Sequence, residues 1–155
     1  MDISNVTKEE IDLIKKIEKA MNEVAVEQVD LLKRGRVERT FSTCFVDKIK
    51  SNVTLENIDI DPFYNKHIDA SKRLNDKLIE LDIAVHQRGI DDNNLVAIEI
   101  ETSNNPTRDD LWKIEGLTQE LGGYGYKLGL YVVFGISKNA GEIITMEWYK
   151  DGKPL

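Results

Sequence analysis

The sequence predicts a single α+β domain in which helices flank a mixed β-sheet. The helices are predicted by apolar residues that recur at helical spacing over residues 7–33 and 37–50. The sheet is predicted by two apolar runs on either side of a turn, within residues 79–101, and by a continuous apolar run at residues 128–134. A length of 155 residues is typical of one domain. The expected order of elements is α-α-β-β-β-α-β-β.

End signals define the two N-terminal helices. Thr7 and Glu10 form a capping-box pattern at the start of the first helix, and Gly35 ends it. The second helix, over residues 37–50, carries an apolar stripe that includes Cys44 and is expected to face the core. The first helix also carries an apolar stripe, and two packing partners are compatible with it: the sheet of the same chain, or a second copy of the chain.

The middle of the chain predicts three strands. A short strand is expected near residues 57–66, and the polar residues 67–78 after it are expected to form a loop or a short helix. Residues 79–86 and 95–101 are separated by a turn rich in Gly, Asp and Asn. These two runs therefore predict an antiparallel hairpin.

The C-terminal third predicts one helix and two strands. Residues 107–110 resemble a capping box, and the helix that follows is expected to end at Gly122 and Gly123. Residues 128–134 are almost all apolar and predict a buried central strand. Residues 142–149 alternate between apolar and polar and predict an edge strand.

Composition excludes several classes of protein. The chain is 41% hydrophobic and 32% charged, which is typical of a globular domain and excludes collagen-like and fully disordered chains. No apolar run approaches the ~20 residues that a membrane helix needs, so no membrane contact is expected. The lone Cys44 cannot form an internal disulfide, and the N-terminus lacks the pattern of a signal peptide. We therefore expect a cytoplasmic protein.

Three carboxylates on the predicted hairpin are the most informative residues. Glu99 and Glu101 share one face of their strand, because side chains alternate, and the apolar residues among them are expected to point the other way into the core. The hairpin would bring Asp82 next to Glu99. Converging carboxylates repel one another, and a hard cation such as Mg²⁺ removes that repulsion. A solvated acidic face produces the same alternation, so the pattern alone leaves both interpretations open.

Two segments carry a resemblance to a known superfamily. Residues 81–89 (LDIAVHQRG) and 93–101 (NNLVAIEIE) resemble the core of the PD-(D/E)XK nuclease-like superfamily. They are similar in particular to small restriction-endonuclease-like proteins with a "PDI-hydrophobic-H-x-RG … NL-hydrophobic-x-IEIK" pattern. The resemblance implies a restriction-endonuclease-like fold with the core order αβββαβ. On this basis residues 37–149 form the nuclease-like core, and residues 7–33 form an accessory N-terminal helix.

The resemblance also implies a function and a set of site residues. It implies a metal-dependent endonuclease that uses Mg²⁺ or Mn²⁺ to hydrolyse phosphodiester bonds of nucleic acid, with DNA as the expected substrate. Asp82 and Glu99 would be metal ligands, and Glu38 would be a supporting ligand through water. Glu101 stands where the family has its catalytic lysine, although some members with Glu in that position are active. The other alternative is a displaced lysine, for which Lys113 is the candidate.

Softer expectations concern binding and assembly. Four cationic or titratable side chains are expected to contact phosphates around the site; they are Lys66, Arg73, His86 and Arg88. A solvated, dispersed set of cations and a structural histidine would explain them equally well. The missing lysine and the acidic net charge of −7 favour a second hypothesis, a catalytically inactive binding or assembly module of the same fold. A homodimer or a partner protein that supplies the recognition surface also stays open.

Overall fold

The computed structural model describes residues 1–35, 37–67, 70–74, 77–90, 92–119 and 124–155. Its helices are α1 (Lys8–Glu27), α2 (Val29–Lys33), α3 (Glu38–Asn52) and α4 (Leu111–Thr118), with a 3₁₀ turn at Ser137–Asn139. Its strands are β1 (Asp59–Tyr64), β2 (Lys66–His67), β3 (Ala70–Ser71), β4 (Arg73–Leu74), β5 (Lys77–Leu78), β6 (Leu81–His86), β7 (Val96–Thr102), β8 (Leu128–Phe134), β9 (Ile143–Lys150) and β10 (Lys153–Pro154). None of the described helices combines the length and the apolar character that crossing a bilayer requires.

The chain forms two compact units, each made of three segments. The first unit comprises residues 1–55, 100–107 and 132–146. The second unit comprises residues 56–99, 108–131 and 147–155. The expectation of a single domain over residues 1–155 stays a prediction.

The first unit contains the N-terminal helices. The capping box of α1 is confirmed, because Glu10 N donates to Thr7 Oγ1 at 3.1 Å and Thr7 N donates to the Glu10 carboxylate at 3.3 Å. The predicted helix over residues 7–33 is divided at Gln28 into α1 and α2. Helix α3 confirms the second predicted helix, and its Phe41 ring lies 4.5 Å from the Phe134 ring. The expectation that Cys44 is a core residue is wrong, since its side chain is only half-buried.

The second unit is built on three antiparallel strands. Strand β6 pairs with β1 on one side and with β7 on the other, which confirms the predicted hairpin. The register places Ala84 opposite both Asp61 and Ala97, so these three side chains share one face of the sheet. Helix α4 covers this face, and its Ile114 and Leu117 belong to the same apolar cluster as Ala84 and Ala97. Both faces of residues 96–100 are therefore buried, contrary to the prediction of a single core-facing side.

The main sheet has six strands in the order β1-β6-β7-β8-β9-β10 and is mostly antiparallel. Backbone hydrogen bonds join Leu128 to Leu95 and Ser103 to Phe134, so positions advance together along β7 and β8 and that pair is parallel. The coarse prediction of an α+β fold with a mixed sheet is confirmed. The fully buried strand predicted at residues 128–134 is confirmed as β8.

Three predicted elements are wrong. The polar segment after β1 forms two small hairpins, β2-β3 and β4-β5, instead of a loop or helix. The capping box predicted at residues 107–110 is absent, because α4 begins after Asp110 without a side-chain cap and ends at Thr118. The glycines expected to end this helix, Gly122 and Gly123, lie outside the described residues.

The third wrong prediction is that the strand at residues 142–149 lies at the edge of the sheet. Strand β9 is not the edge, because β10 pairs with it through Lys153 opposite Lys150. The two residues between them, Asp151 and Gly152, have φ values of 52° and 78°. Such left-handed Asp-Gly turns are typical of tight hairpins. This signal was present in the sequence, and it would have predicted the added strand.

Candidate active site

Asp82 and Glu99 face each other across the β6-β7 pair. Ile83 lies opposite Ile98, so the next pair along this antiparallel register is Asp82 and Glu99. This register confirms the prediction that the hairpin brings the two residues together, and the Asp82 carboxylate contributes to raising the pKa of Glu99. The site is therefore built from residues on two central strands, which position side chains more rigidly than loops do.

Glu99 is an acid in an environment that disfavours its charge. The residue is only 1% exposed, and neither of its carboxylate oxygens accepts a well-formed hydrogen bond from any residue that the structure describes. Burial, followed by the nearby Asp82 carboxylate, raises the pKa of Glu99 well above its ordinary value, and Lys113 only partly opposes this. A buried carboxylate with so few partners is costly to folding, which is typical of functional sites.

Lys113 supplies positive charge to this pair. Its Nζ lies 3.3 Å from Glu99 Oε1, 3.2 Å from Asp110 Oδ1 and 3.5 Å from the backbone oxygen of Glu80. Its side chain is 15% exposed. Burial alone lowers the pKa of Lys113, but the carboxylates of Glu99 and Asp110 outweigh burial and raise the pKa above its ordinary value. Lys113 is therefore held as an ammonium ion at the carboxylate pair.

Close packing of α4 determines where Lys113 lies. The next residue in the helix, Ile114, is fully buried in the apolar cluster of the second unit. On the same helix, a Cβ added to Gly116 would lie 2.6 Å from a Leu74 methyl group, so a larger residue at this position would have to displace the Leu74 side chain. The apolar side of α4 therefore fixes the position of the helix. The helix backbone in turn places the Lys113 side chain next to Glu99.

Two acids predicted for the site, Glu38 and Glu101, belong to the first unit. Glu38 is the first residue of α3, and its backbone oxygen accepts a hydrogen bond from Ser42 Oγ at 2.8 Å. Glu101 Oε1 accepts a hydrogen bond from Thr107 N at 2.9 Å, which ties it to the turn after β7. The metal-supporting role of Glu38 and the catalytic role of Glu101 stay predictions.

His86 and Arg88 are bound to an aspartate that the sequence did not single out. His86 Nε2 lies 2.8 Å from Asp61 Oδ2, and Arg88 Nε donates to the same oxygen at 2.9 Å. Burial lowers the pKa of His86, and the hydrogen bond to Asp61 only partly offsets this. Asp61 could have been found from the alternation of Asp59 and Asp61 on β1. Phosphate contacts by His86 and Arg88 stay predictions.

The remaining predicted cations lie in the small hairpins. Arg73 is exposed on β4, where its backbone N–H donates to the Tyr124 hydroxyl at 2.6 Å. Lys66 lies in β2, but its side chain is outside the described residues. Neither residue is shown in contact with the Asp82 and Glu99 pair. Their roles in binding nucleic acid stay predictions.

Lys72 has an unexpected environment between the hairpins. The residue is 2% exposed, and its Nζ lies 4.0 Å from the ring centroid of Tyr124. The rings of Tyr64 and Tyr126 are 5.4 and 5.5 Å away, so the ammonium is stabilised by three aromatic faces. A lysine in a polar segment is ordinarily a surface residue, and nothing in the sequence predicts this burial.

Comparison with protein-family models, with curated proteins and with solved structures finds no match to this chain.

The carboxylate pair fits a cation that needs few protein ligands. Within the described ranges, no group of three or more His, Cys, Asp or Glu side chains is arranged to hold a metal ion. Mg²⁺, however, keeps several waters and commonly takes only one or two carboxylates from the protein. Asp82 and Glu99 provide two adjacent carboxylates, and the oxygens of Glu99 lack well-formed hydrogen bonds from the described residues. This donor set is suitable for Mg²⁺ or Mn²⁺.

Proposed function

We propose that this protein is a nuclease-like hydrolase that uses Mg²⁺ or Mn²⁺ to cleave phosphodiester bonds of nucleic acid, with DNA as the first substrate to test. The observation that carries the proposal is the buried Glu99 carboxylate beside Asp82, with the Lys113 ammonium 3.3 Å from Glu99 Oε1. Carboxylates can hold a divalent cation, and an ammonium group can offset negative charge on a phosphate, and both functions serve metal-assisted phosphodiester hydrolysis.

The order of elements supports the same proposal. Helix α3, strands β1, β6 and β7, helix α4 and strand β8 follow one another in the order αβββαβ. That is the core order implied by the resemblance to the PD-(D/E)XK superfamily, with the small hairpins inserted between β1 and β6. Asp82 and Glu99 then lie on the second and third strands of this core, as the resemblance implies.

Each residue of the site has a distinct proposed role. Asp82 and Glu99 would hold the cation, which would offset charge on the phosphate and make a nearby water easier to deprotonate. Lys113 orients the attacking water or offsets developing charge on the phosphate, in place of the lysine that is missing at Glu101. Burial of Glu99 excludes bulk water from one side of the pair, which strengthens these electrostatic interactions.

One observation favours a second candidate, an inactive binding or assembly module of the same fold. Lys113 already pairs with Glu99 and Asp110, so part of the negative charge of the site is balanced by the protein itself. A site that has lost catalysis can keep such an ion pair as a structural feature. The two candidates differ in whether a divalent cation changes the state of the site.

The deciding experiment is a cleavage panel with matched variants. Plasmid, linear duplex, single-stranded DNA and RNA are incubated with Mn²⁺, with Mg²⁺ or with EDTA. We expect metal-dependent cutting that falls at least about 100-fold in Glu99→Gln and in Asp82→Asn. The exposed Glu56→Gln is the control and should cut at the wild-type rate.

Binding of Mn²⁺, measured by calorimetry on the same proteins, separates the alternatives. Wild-type protein that binds Mn²⁺ through Glu99 without cutting any substrate would support the binding module. Folded wild-type protein that neither binds Mn²⁺ nor cuts would contradict the metal-dependent function.

A further inference from the structure

Among the described residues, Lys113 has two carboxylate partners, and one of these two is a proposed metal ligand. Glu99 Oε1 lies inside the site at 3.3 Å, whereas Asp110 Oδ1 lies at the start of α4 at 3.2 Å. The backbone oxygen of Glu80 is a third neighbour at 3.5 Å. The three hydrogens of the ammonium group thus each have an oxygen nearby. Two of these oxygens do not belong to the carboxylate pair.

We propose that Asp110 is a positioning residue that keeps Lys113 at the site when a divalent cation occupies Asp82 and Glu99. This inference rests on the proposed function. A cation on Glu99 repels the ammonium group and competes with it for the same carboxylate. Asp110 is three residues before Lys113, so this pair forms along one helix and does not depend on Glu99.

The exposure of Asp110 indicates that the pair orients Lys113 more than it stabilises the fold. The Asp110 side chain is about half exposed, and an ion pair with so exposed a partner contributes little to stability. Helix α4 is seated by buried residues such as Ile114 and Leu117, which do not involve Asp110. Loss of the Asp110 charge should therefore leave the helix in place and release only the end of the Lys113 side chain.

Retention of Lys113 matters because Glu101 cannot supply a positive charge. Glu101 occupies the position where the superfamily has its lysine, and its Oε1 is hydrogen-bonded to Thr107 N. Lys113 is the cation that the described residues place against Glu99. An ammonium group displaced by about 1 Å can cost roughly 100-fold in rate, even though substrate binding is unchanged.

The first test measures the chemical reactivity of Lys113, with Mn²⁺ as the probe. Wild type, Asp110→Asn and Asp110→Glu are acetylated with and without saturating Mn²⁺, and modification of Lys113 is read by mass spectrometry. The control is Asp12→Asn, which breaks an exposed pair with Lys16 on α1. We expect Lys113 to stay protected in wild type with Mn²⁺ and to react severalfold faster in Asp110→Asn, with protection restored in Asp110→Glu.

The second test measures cleavage kinetics on the same proteins. Asp110→Asn should lower kcat about 100-fold with KM unchanged, and Asp110→Glu should recover most of the loss. Equal protection of Lys113 in wild type and Asp110→Asn with Mn²⁺ bound would overturn the positioning role alone. Absence of any Mn²⁺ binding would overturn the proposed function and this inference together. Asp110-dependent protection without cleavage would support the positioning role in a binding module.

Discussion

Strands β1 and β7 have similar acidic sequences, but Asp61 on β1 and Glu99 on β7 lie in opposite electrostatic environments. Strand β1 contains Asp59-Ile60-Asp61, and β7 contains Glu99 at the start of Glu-Ile-Glu. Burial alone raises the pKa of Asp61, but hydrogen bonds from Arg88 and His86 outweigh it and lower the pKa below the ordinary value. The pKa of Glu99 is instead raised, because burial and Asp82 outweigh the attraction of Lys113.

The difference separates a structural acid from a candidate functional one. Asp61 is saturated by its two basic partners and contributes to the fold as an ion. Burial of the Glu99 carboxylate costs free energy that its described neighbours do not offset. Such uncompensated burial is typical of ligand-binding and catalytic sites. The alternating sequence is thus compatible with either role, and the cross-strand neighbours decide between them.

The largest expected effect comes from removing the saturated acid. Asp61→Ala should lower the free energy of unfolding by about 2–3 kcal/mol, because the buried His86 loses its hydrogen-bond partner and Arg88 loses its carboxylate. Because the pKa of Asp61 is lowered in the folded state, its stabilising effect is present above the ordinary value of 3.8 and is lost as pH falls through the folded pKa. Urea unfolding of both proteins from pH 7 down to pH 3 checks this. A constant difference across that range would contradict the assignment.

Glu99→Gln should change the free energy of unfolding in the opposite direction. Removing a buried charge that accepts no well-formed hydrogen bond from the described residues should raise the free energy of unfolding by about 1–2 kcal/mol at pH 8, because burial and Asp82 outweigh the attraction of Lys113. Because the pKa of Glu99 is raised, wild-type stability is greatest below the ordinary value of 4.5 and falls as pH rises through the folded pKa. The advantage of the variant should therefore disappear at pH 4. Urea unfolding of the variant beside Glu56→Gln measures it, and a loss of stability at pH 8 would show that Glu99 is a structural acid.

Gly116→Ala should disturb the site around Glu99 and leave the Asp61 cluster unchanged. Alanine ordinarily stabilises a helix relative to glycine, but here its Cβ would lie 2.6 Å from a Leu74 methyl group. We expect a net loss of about 1 kcal/mol and weaker Mn²⁺ binding or cleavage, because α4 carries Lys113. The Asp61 cluster should be unchanged, which the titration of His86 followed by NMR can verify. A stabilised variant would show that Leu74 moves aside freely.

The smallest effect is expected at the exposed member of the Asp61 cluster. The Arg88 side chain is 63% exposed, and pairs with so exposed a partner contribute up to about 1 kcal/mol. Arg88→Gln should therefore cost about 0.5 kcal/mol, less so in high salt. Thermal unfolding at low and high ionic strength measures this. A loss as large as that of Asp61→Ala would show that Arg88, rather than His86, makes Asp61 important.

Several helices and strands could be predicted from the sequence alone, because they depend on residues that are close together in the chain. The capping box of Thr7 and Glu10 began α1, and the apolar run at residues 128–134 became the fully buried β8. The alternation around Glu99, with Asp82 on the preceding strand, predicted their meeting across the hairpin. Each of these features depends on residues close in sequence or on one tight connection, so its signal is present in a short window.

Which charged side chains meet a partner depends on tertiary contacts that the sequence does not show. Asp61 meets His86 and Arg88, Lys113 meets Glu99, and Lys72 enters a cluster of tyrosines across separations that no local pattern encodes. The ionisation of an acid depends on burial and on neighbours within a few ångströms, and those neighbours are set by sheet register and helix packing. For this reason similar alternating acids on β1 and β7 differ in their surroundings: Asp61 is held by His86 and Arg88, whereas Glu99 is buried with a raised pKa.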